Sequence, residues 1–303
     1  MRLSDRGSER RNVIPKTVHG LPEKDADPLR DDHSGPRRET LRAAGIAVRN
    51  LLFGTNLASF KLITRPRAMV WYVTESLFLH RLMAKDSDLP QAQIWEVLGQ
   101  SANRSAIKLV IYPEAAKEYF RDVPSYAVDL VALCTICQIL RPRVIFEIGT
   151  LRGSGALHLA GNSPEAQVFT LDLGSSDKPS LTTTVVDDSH VVSHAAVRNF
   201  HFSARPEEHQ IRCLFGDSAR FDFSPWERRV DLFFIDGAHS YEYARNDTLM
   251  ALQCVQPGGV IAWHDYGRVG VNGVSKWLHE LRDRGHKIYR VPGGSLAFSM
   301  VGS

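Results

Sequence analysis

Residues 143–160 read Arg-Val-Ile-Phe-Glu-Ile-Gly-Thr-Leu-Arg-Gly-Ser-Gly-Ala-Leu-His-Leu-Ala. A near-continuous apolar run of strand length (143–149) is what a strand covered on both faces requires. It passes through a turn holding Gly149, Gly153 and Gly155 into a run with helical spacing. Glycines at a strand-to-helix turn let a ligand approach the backbone, and the helix N-terminus offers unpaired N–H groups to a polar or anionic group. A nucleotide-like ligand is expected here. Leu151 stands where the second glycine of a G-x-G-x-x-G dinucleotide loop belongs, which counts against a nicotinamide dinucleotide.

Working outward, further strand candidates are QVFTLDL (167–173), IRCLF (211–215), VDLFFID (230–236) and GVIAWHD (259–265). Helical stretches separate most of them, notably Ser154 to Gly161 and Tyr241 to Cys254. Strands alternating with helices give βαβ units and a mostly parallel sheet, so the fold class is α/β, doubly wound. The closing HKIYRVPGGSLAFSMV reads as two strands joined at Pro292-Gly293-Gly294, where glycine supplies the positive φ of a tight turn.

Three segments are expected. Residues 1–40 are rich in Arg, Asp, Glu, Pro and Gly without apolar periodicity, and read as a flexible polar tail. Residues 41–110 form a basic helical extension, and 111–303 the catalytic domain. Between Leu41 and Lys85 the basic Arg42, Arg49, Lys61, Arg65, Arg67, Arg81 and Lys85 face the single acid Glu75. Such a segment either packs on its own domain or on another copy in a homo-oligomer, or makes peripheral contact with an anionic membrane. No uncharged stretch reaches the length of a membrane span. A formal charge of +3 over 303 residues gives no ground for a nucleic-acid partner. The four cysteines are too few and scattered for a disulfide framework, which makes a reducing cytoplasm the default. Cys134 and Cys137 form a C-x-x-C in an apolar helical run and read as buried thiols.

The chemistry-bearing residues fall at strand ends. Asp172 closes the second strand, where an acid can accept hydrogen bonds from ribose hydroxyls, and Gly216-Asp217-Ser218 follows the third. The densest stretch is DLFFIDGAHSYE (231–242), followed by Pro257-Gly258-Gly259 and Trp263-His264-Asp265-Tyr266. Asp236, His239, His264 and Asp265 thereby reach one edge of the sheet, with donor types for a divalent metal and an imidazole for proton transfer. The long polar stretch 174–210, holding Asp187, Asp188, His190, His194 and His201, is expected to be a substrate lid.

The order EIGTLRGSG, LDL, GDS, FFIDGAHSYEY and PGGVIAWHDY resembles the class I S-adenosylmethionine-dependent methyltransferases, most closely the branch with a D-G-x-H-x-Y segment that includes macrolide sugar O-methyltransferases. The resemblance covers roughly residues 120–301. It implies a seven-stranded sheet whose last strand is antiparallel. It also implies that Glu147, Gly149, Thr150, Gly153 and Gly155 surround the methionine moiety, that Asp172 binds the ribose, and that Asp217 and Ser218 neighbour the adenine. Asp236, which also borders the cofactor, and Asp265 match the magnesium-binding positions of metal-dependent members, and His239 matches the general base. His264 is added as a metal ligand by proximity. Metal-dependent relatives often carry two adjacent acids where this chain has His264-Asp265.

The expected activity is O-methylation of a small hydroxylated acceptor, with S-adenosyl-L-methionine as cofactor, optional Mg2+, and His239 with Asp236 as catalytic residues. The competing readings are a nicotinamide-dependent oxidoreductase and a non-catalytic, membrane-docked binding module of the same fold.

Overall fold

A computed structural model describes residue 77 and residues 88–99, 107–121, 125–174, 177–182, 199–268 and 271–302, nearly all of the expected catalytic domain. The expected tail, most of the helical extension, and Asp187, Asp188, His190 and His194 of the expected lid lie outside the described residues.

The described elements are α1 (Ile94–Leu98), α2 (Pro113–Arg121), α3 (Ser125–Leu140), β1 (Val144–Ile148), α4 (Ser154–Gly161), β2 (Gln167–Asp172), β3 (Ile211–Phe215), β4 (Val230–Ile235), α5 (Tyr241–Cys254), β5 (Val255–Trp263), α6 (Asn272–Asp283), β6 (Tyr289–Arg290) and β7 (Ala297–Met300). Seven strands form one sheet in the order β3-β2-β1-β4-β5-β7-β6. The first five are parallel, while β7 runs antiparallel to both β5 and β6. The strand order reverses between β1 and β4, and in open α/β sheets ligands bind at the carboxyl ends of the strands at such a point.

Neighbouring residues along each strand face opposite layers. Ile145, Leu232, Phe234 and Ala262 join Leu133, Ile136 and Leu157 in one buried core. Phe146, Phe233, Ile261 and Trp263 join Ala251, Trp277 and Leu278 in the other. Both faces are therefore covered by helices, and this explains why the strands carry so few polar positions. The strand β5 starts at Val255, four residues before the run that sequence periodicity marks, because Val255 still pairs with Val230 before a register shift. The expected C-terminal hairpin is present, with Gly293 at φ 78° in its turn.

Cys134 and Cys137 are fully buried on α3 as free thiols, and burial raises the pKa of both. Leu89 and Ile94, from the segment before the expected domain boundary, are buried in the two cores. Among the described residues no helix is long and apolar enough to cross a membrane.

Candidate active site

Strand register fixes the site before any side chain is considered. Ile148 pairs with Leu171 and with Ile235, Asp172 with Phe215, and Ile235 with Trp263. The residues that follow, Gly149, Leu173, Gly216, Asp236 and His264, consequently emerge along one edge of the sheet.

The turn after β1 presses against the end of β4. A Cβ on Gly149, whose φ is 102°, would collide with the main-chain carbonyl of Asp236, and one on Gly155 would collide with the Glu147 carboxyl. Glycine is required at Gly149 for lack of space against the backbone and for conformation, whereas a side chain at Gly155 would have to displace the Glu147 carboxyl. Leu151 adopts φ 45° without being glycine, half-exposed at the lip of the turn. Such a conformation costs on the order of 1 kcal/mol and persists only where the surroundings hold it. Asp172 does part of that holding by accepting the Leu151 N–H as well as that of Leu173, while its burial raises its own pKa.

Beneath the turn lies Glu147, 1% exposed. Thr170 donates to its Oε2 at 2.5 Å, and the Thr170 and Thr150 hydroxyl oxygens are 2.6 Å apart. Burial, assisted by the charges of Asp236 and Asp172 and opposed by the Thr170 bond, pushes the Glu147 carboxyl up to about 8. A carboxyl in this condition holds its proton until a cation is placed beside it.

Past β4 and β5 the four expected residues do meet. His239 Nε2 lies 2.6 Å from Asp265 Oδ2. His264 Nδ1 lies 3.0 Å from Asp236 Oδ1 and 3.4 Å from Asp265 Oδ2, and its Nε2 is 3.4 Å from Asp129 Oδ2. These His264 contacts have ion-pair distances without hydrogen-bond geometry. Burial alone would lower the pKa of His264, but the acids Asp236, Asp265 and Asp129 outweigh it and hold the imidazole well above its usual value. Burial would likewise raise Asp265, yet His264 and His239 keep it well below the carboxylate range. Asp265 sits at φ 64°, a second strained residue in the site. Asp236, His239 and Asp265 each offer a ligand atom within 4.8 Å of the others. Sequence reasoning placed His264 rather than His239 in the metal-binding set; the geometry brings His239 into it and gives His264 three carboxylates as neighbours.

Three residues that sequence reasoning did not single out shape this cluster. Tyr126, on the first turn of α3, donates to Asp265 Oδ1 at 3.1 Å, and its ring lies 4.8 Å from that of His264. Asp129, one turn later, accepts from the main-chain N–H groups of Ser295 and Leu296 and from the Ser295 hydroxyl, at 2.6 to 2.8 Å, tying α3 to the β6–β7 turn. Gly273 leaves no room for a Cβ against the main chain of His239, Ser240 and Tyr241. Ser240 caps α5 by accepting the Tyr243 N–H, so His239 is held between a helix cap and the start of α6.

Asp217 and Ser218 belong to a second network further along the edge. Asp217 accepts from Ser180 N–H at 2.8 Å, Ala219 N–H at 3.0 Å and the Tyr243 hydroxyl at 2.9 Å. Burial works against its charge, but the bonds from Ser180, Ala219 and Tyr243 hold its pKa below the usual value. The Ser218 carbonyl accepts from Asn246 of α5. Both networks hang from the segment 236–246, which joins them through α5.

Residues 146–266 match the family model of a methyltransferase domain. No curated protein matches the chain in sequence. Among solved structures, the chain is similar to the O-methyltransferase TomG from Streptomyces achromogenes, involved in tomaymycin synthesis and in complex with SAM, at 18% identity over 66% of this chain and 94% of that one, TM-score 0.44. It is also similar to a Podospora anserina methyltransferase bound to SAH, at 13% identity over 64% and 89% of the two chains, TM-score 0.43.

Proposed function

We propose that this chain, whose residues 146–266 match the family model of a methyltransferase domain, is a class I S-adenosylmethionine-dependent methyltransferase that methylates an oxygen of a small hydroxylated acceptor. The observation that carries the acceptor chemistry is the His239–Asp265 pair at 2.6 Å, set beside the glycine turn at the point where strand order reverses.

The residues present fit the cofactor. The glycine turn admits no side chain at Gly149 and none at Gly155 without displacing Glu147, Asp172 stands at the end of β2 where a ribose would lie, and buried Glu147 would offer a carboxyl to the cationic methionine end. When bound, S-adenosylmethionine supplies an electrophilic methyl group on a positively charged sulfur. The protein's part is to align the acceptor oxygen in line with the methyl–sulfur bond and to deprotonate it. Alignment alone is worth on the order of 7 to 11 kcal/mol in well-oriented reactions.

The base is His239. Its imidazole is placed to take the acceptor's proton, leaving the oxygen ready for the methyl group that the cofactor would supply. Asp265 orients the ring and stabilises the imidazolium, the role a carboxylate plays in histidine-based dyads and triads. Tyr126 and Arg268 in turn hold Asp265, with Arg268 Nη1 at 3.3 Å. Asp236, 24% exposed against 2% for Asp265, is the more open of the two acids and would border both cofactor and acceptor.

The donor set of Asp236, Asp265 and His239 also fits a divalent cation. Asp236 and Asp265 would hold magnesium, which would lower the pKa of the acceptor hydroxyl as a Lewis acid. Among the other expectations, the free and mostly buried cysteines are compatible with a reducing cytoplasm, and the basic segment 41–85 is the candidate for membrane contact.

The experiment is calorimetric titration with S-adenosylmethionine, followed by methyl transfer from labelled cofactor to a panel of small alcohols, phenols and sugars. Absence of cofactor binding would overturn the reading. Transfer to nitrogen or carbon acceptors alone would overturn its oxygen part.

A further inference from the structure

The hydroxyl of Tyr243 has one proton to donate and two lone pairs to accept with, and the structure uses all three. It donates to Asp217 Oδ1 at 2.9 Å and accepts the N–H groups of Ser180 at 3.1 Å and Leu181 at 3.4 Å. Ser180 N–H is shared, for it also reaches Asp217 Oδ2 at 2.8 Å. Tyr243 is 4% exposed and Asp217 8% exposed, whereas Asp177, Lys178 and Ser180 are exposed. A buried phenol–carboxylate pair thus grips an exposed loop by its backbone. Beside this grip lies a cavity of about 650 Å³ whose walls include Asp177 and Lys178 from the loop and Phe215, Gly216 and Asp217 from the end of β3.

We propose that Tyr243 is a positioning residue that latches the loop 177–182 over the nucleoside end of the cofactor site and so sets how long the cofactor stays bound. The proposal rests on the cofactor reading above for the identity of what lies beneath the loop, but not for the latch itself. Three observations support it. The latch uses backbone donors, so it fixes the path of the loop whatever its side chains do. Its acceptor is the same carboxylate at the end of β3 that faces the cavity, so the loop and a nucleoside amine address one group. The phenol of Tyr243 stands on the first turn of α5, four residues after His239, which links the grip on the nucleoside to the segment that positions the base.

The test is Tyr243→Phe, which keeps the ring in the core and removes only the hydroxyl. Amide exchange of the segment 177–182, measured without ligand, should accelerate about tenfold while exchange of the central strands stays unchanged. In the parent, S-adenosylhomocysteine should slow that same segment. The variant should release S-adenosylhomocysteine about tenfold faster, with KM for S-adenosylmethionine raised and kcat held or increased. Unchanged exchange in the variant overturns the latch, as does binding of S-adenosylhomocysteine that leaves the segment's exchange untouched. If neither protein binds S-adenosylhomocysteine, the cofactor reading fails, and the ligand-free exchange still decides the latch. Should Tyr243→Phe fold poorly, Ser180→Pro in the exposed loop removes the shared N–H from the other side. The same faster release is expected of it, and unchanged release counts against the proposal.

Discussion

His239 and Asp265 follow different strands, β4 and β5, and meet at 2.6 Å with the carboxylate almost wholly buried and the imidazole 14% exposed. The imidazole is the more accessible member of the pair, as a group that exchanges protons with a substrate must be. The first prediction follows. His239→Gln should slow methyl transfer by about 10²- to 10⁴-fold, the range for loss of a general base, and leave cofactor affinity within twofold. Rates and calorimetric titration on the same preparation would show this. Parent-like turnover would remove His239 from the chemistry, and a collapse of cofactor binding would move it to the cofactor.

Glu147 gives the second prediction. Its carboxyl is pushed up to about 8 in the folded protein by burial, against an ordinary value of 4.5. The folded state therefore keeps a proton that the unfolded chain releases, and stability contributed by this group is fully present below about 4.5 and falls as pH rises towards 8. The slope limit is about 1.4 kcal/mol per pH unit for one proton. Glu147→Gln should flatten the fall of melting temperature across that window. A bound cation reverses the preference by favouring the carboxylate, so affinity for S-adenosylmethionine should rise with pH over the same window with release of a proton. Calorimetry in buffers of different ionisation enthalpy counts that proton, and a count of zero at pH 7 would refute the linkage.

The glycine turn yields a prediction about stability. Ala at Gly149 would place a methyl group against the carbonyl of Asp236 at φ 102°. Steric overlap and a positive φ together cost ~3 kcal/mol or more, roughly 6 to 12 °C of melting temperature for a domain of this size. Ala at Gly285, which has positive φ but open space, carries only the conformational part. Equal losses from the two substitutions, read by thermal unfolding, would show that the close approach to Asp236 is unimportant.

Most of the sheet could be read from the sequence because strands buried on both sides must be apolar at nearly every position, as VIFEI and VDLFFI are. The start of β5 could not, because Pro257-Gly258-Gly259 punctuates it and only pairing with β4 keeps it extended. The acids and imidazoles at the strand ends were visible for a related reason: polar residues that close apolar runs have one place to go, the carboxyl edge. Tyr126 and Asp129 were hidden because their contacts span more than 130 residues of sequence. One local signal did exist, a single acid within the apolar helix VDLVALC, since a fully buried Asp is rare unless partnered. The Tyr243 latch left no such signal, because the loop contributes backbone groups and any sequence supplies those.

Magnesium is tested through the acid that is open to it. Titration with Mn2+, followed by electron paramagnetic resonance, should show one site in the parent and none in Asp236→Asn. Chelation with EDTA should lower the transfer rate, and added Mg2+ should restore it. Cofactor affinity should not change, because the cation would act on the acceptor hydroxyl. A parent that binds no Mn2+ and ignores EDTA would leave His239 and Asp265 to deprotonate the acceptor unaided.

The basic segment between Leu41 and Lys85 carries the last prediction. Seven basic residues against one acid make it attractive to an anionic lipid surface, with each basic residue near the surface worth about 1 kcal/mol. Attraction of this origin is screened as the Debye length shrinks from about 10 Å at 0.1 M salt to about 3 Å at 1 M. The full chain should therefore float with phosphatidylserine-containing vesicles at 0.1 M salt, detach at 1 M, and ignore pure phosphatidylcholine vesicles. Replacing Arg42, Arg49 and Lys61 with Glu should abolish flotation and leave methyl transfer to a soluble acceptor unchanged, because none of the three is among the candidate site residues. Equal flotation with neutral and anionic vesicles would point to apolar insertion. No flotation at all would turn these charges towards the protein's own domain or a second copy of the chain, a difference that sedimentation at two protein concentrations would resolve.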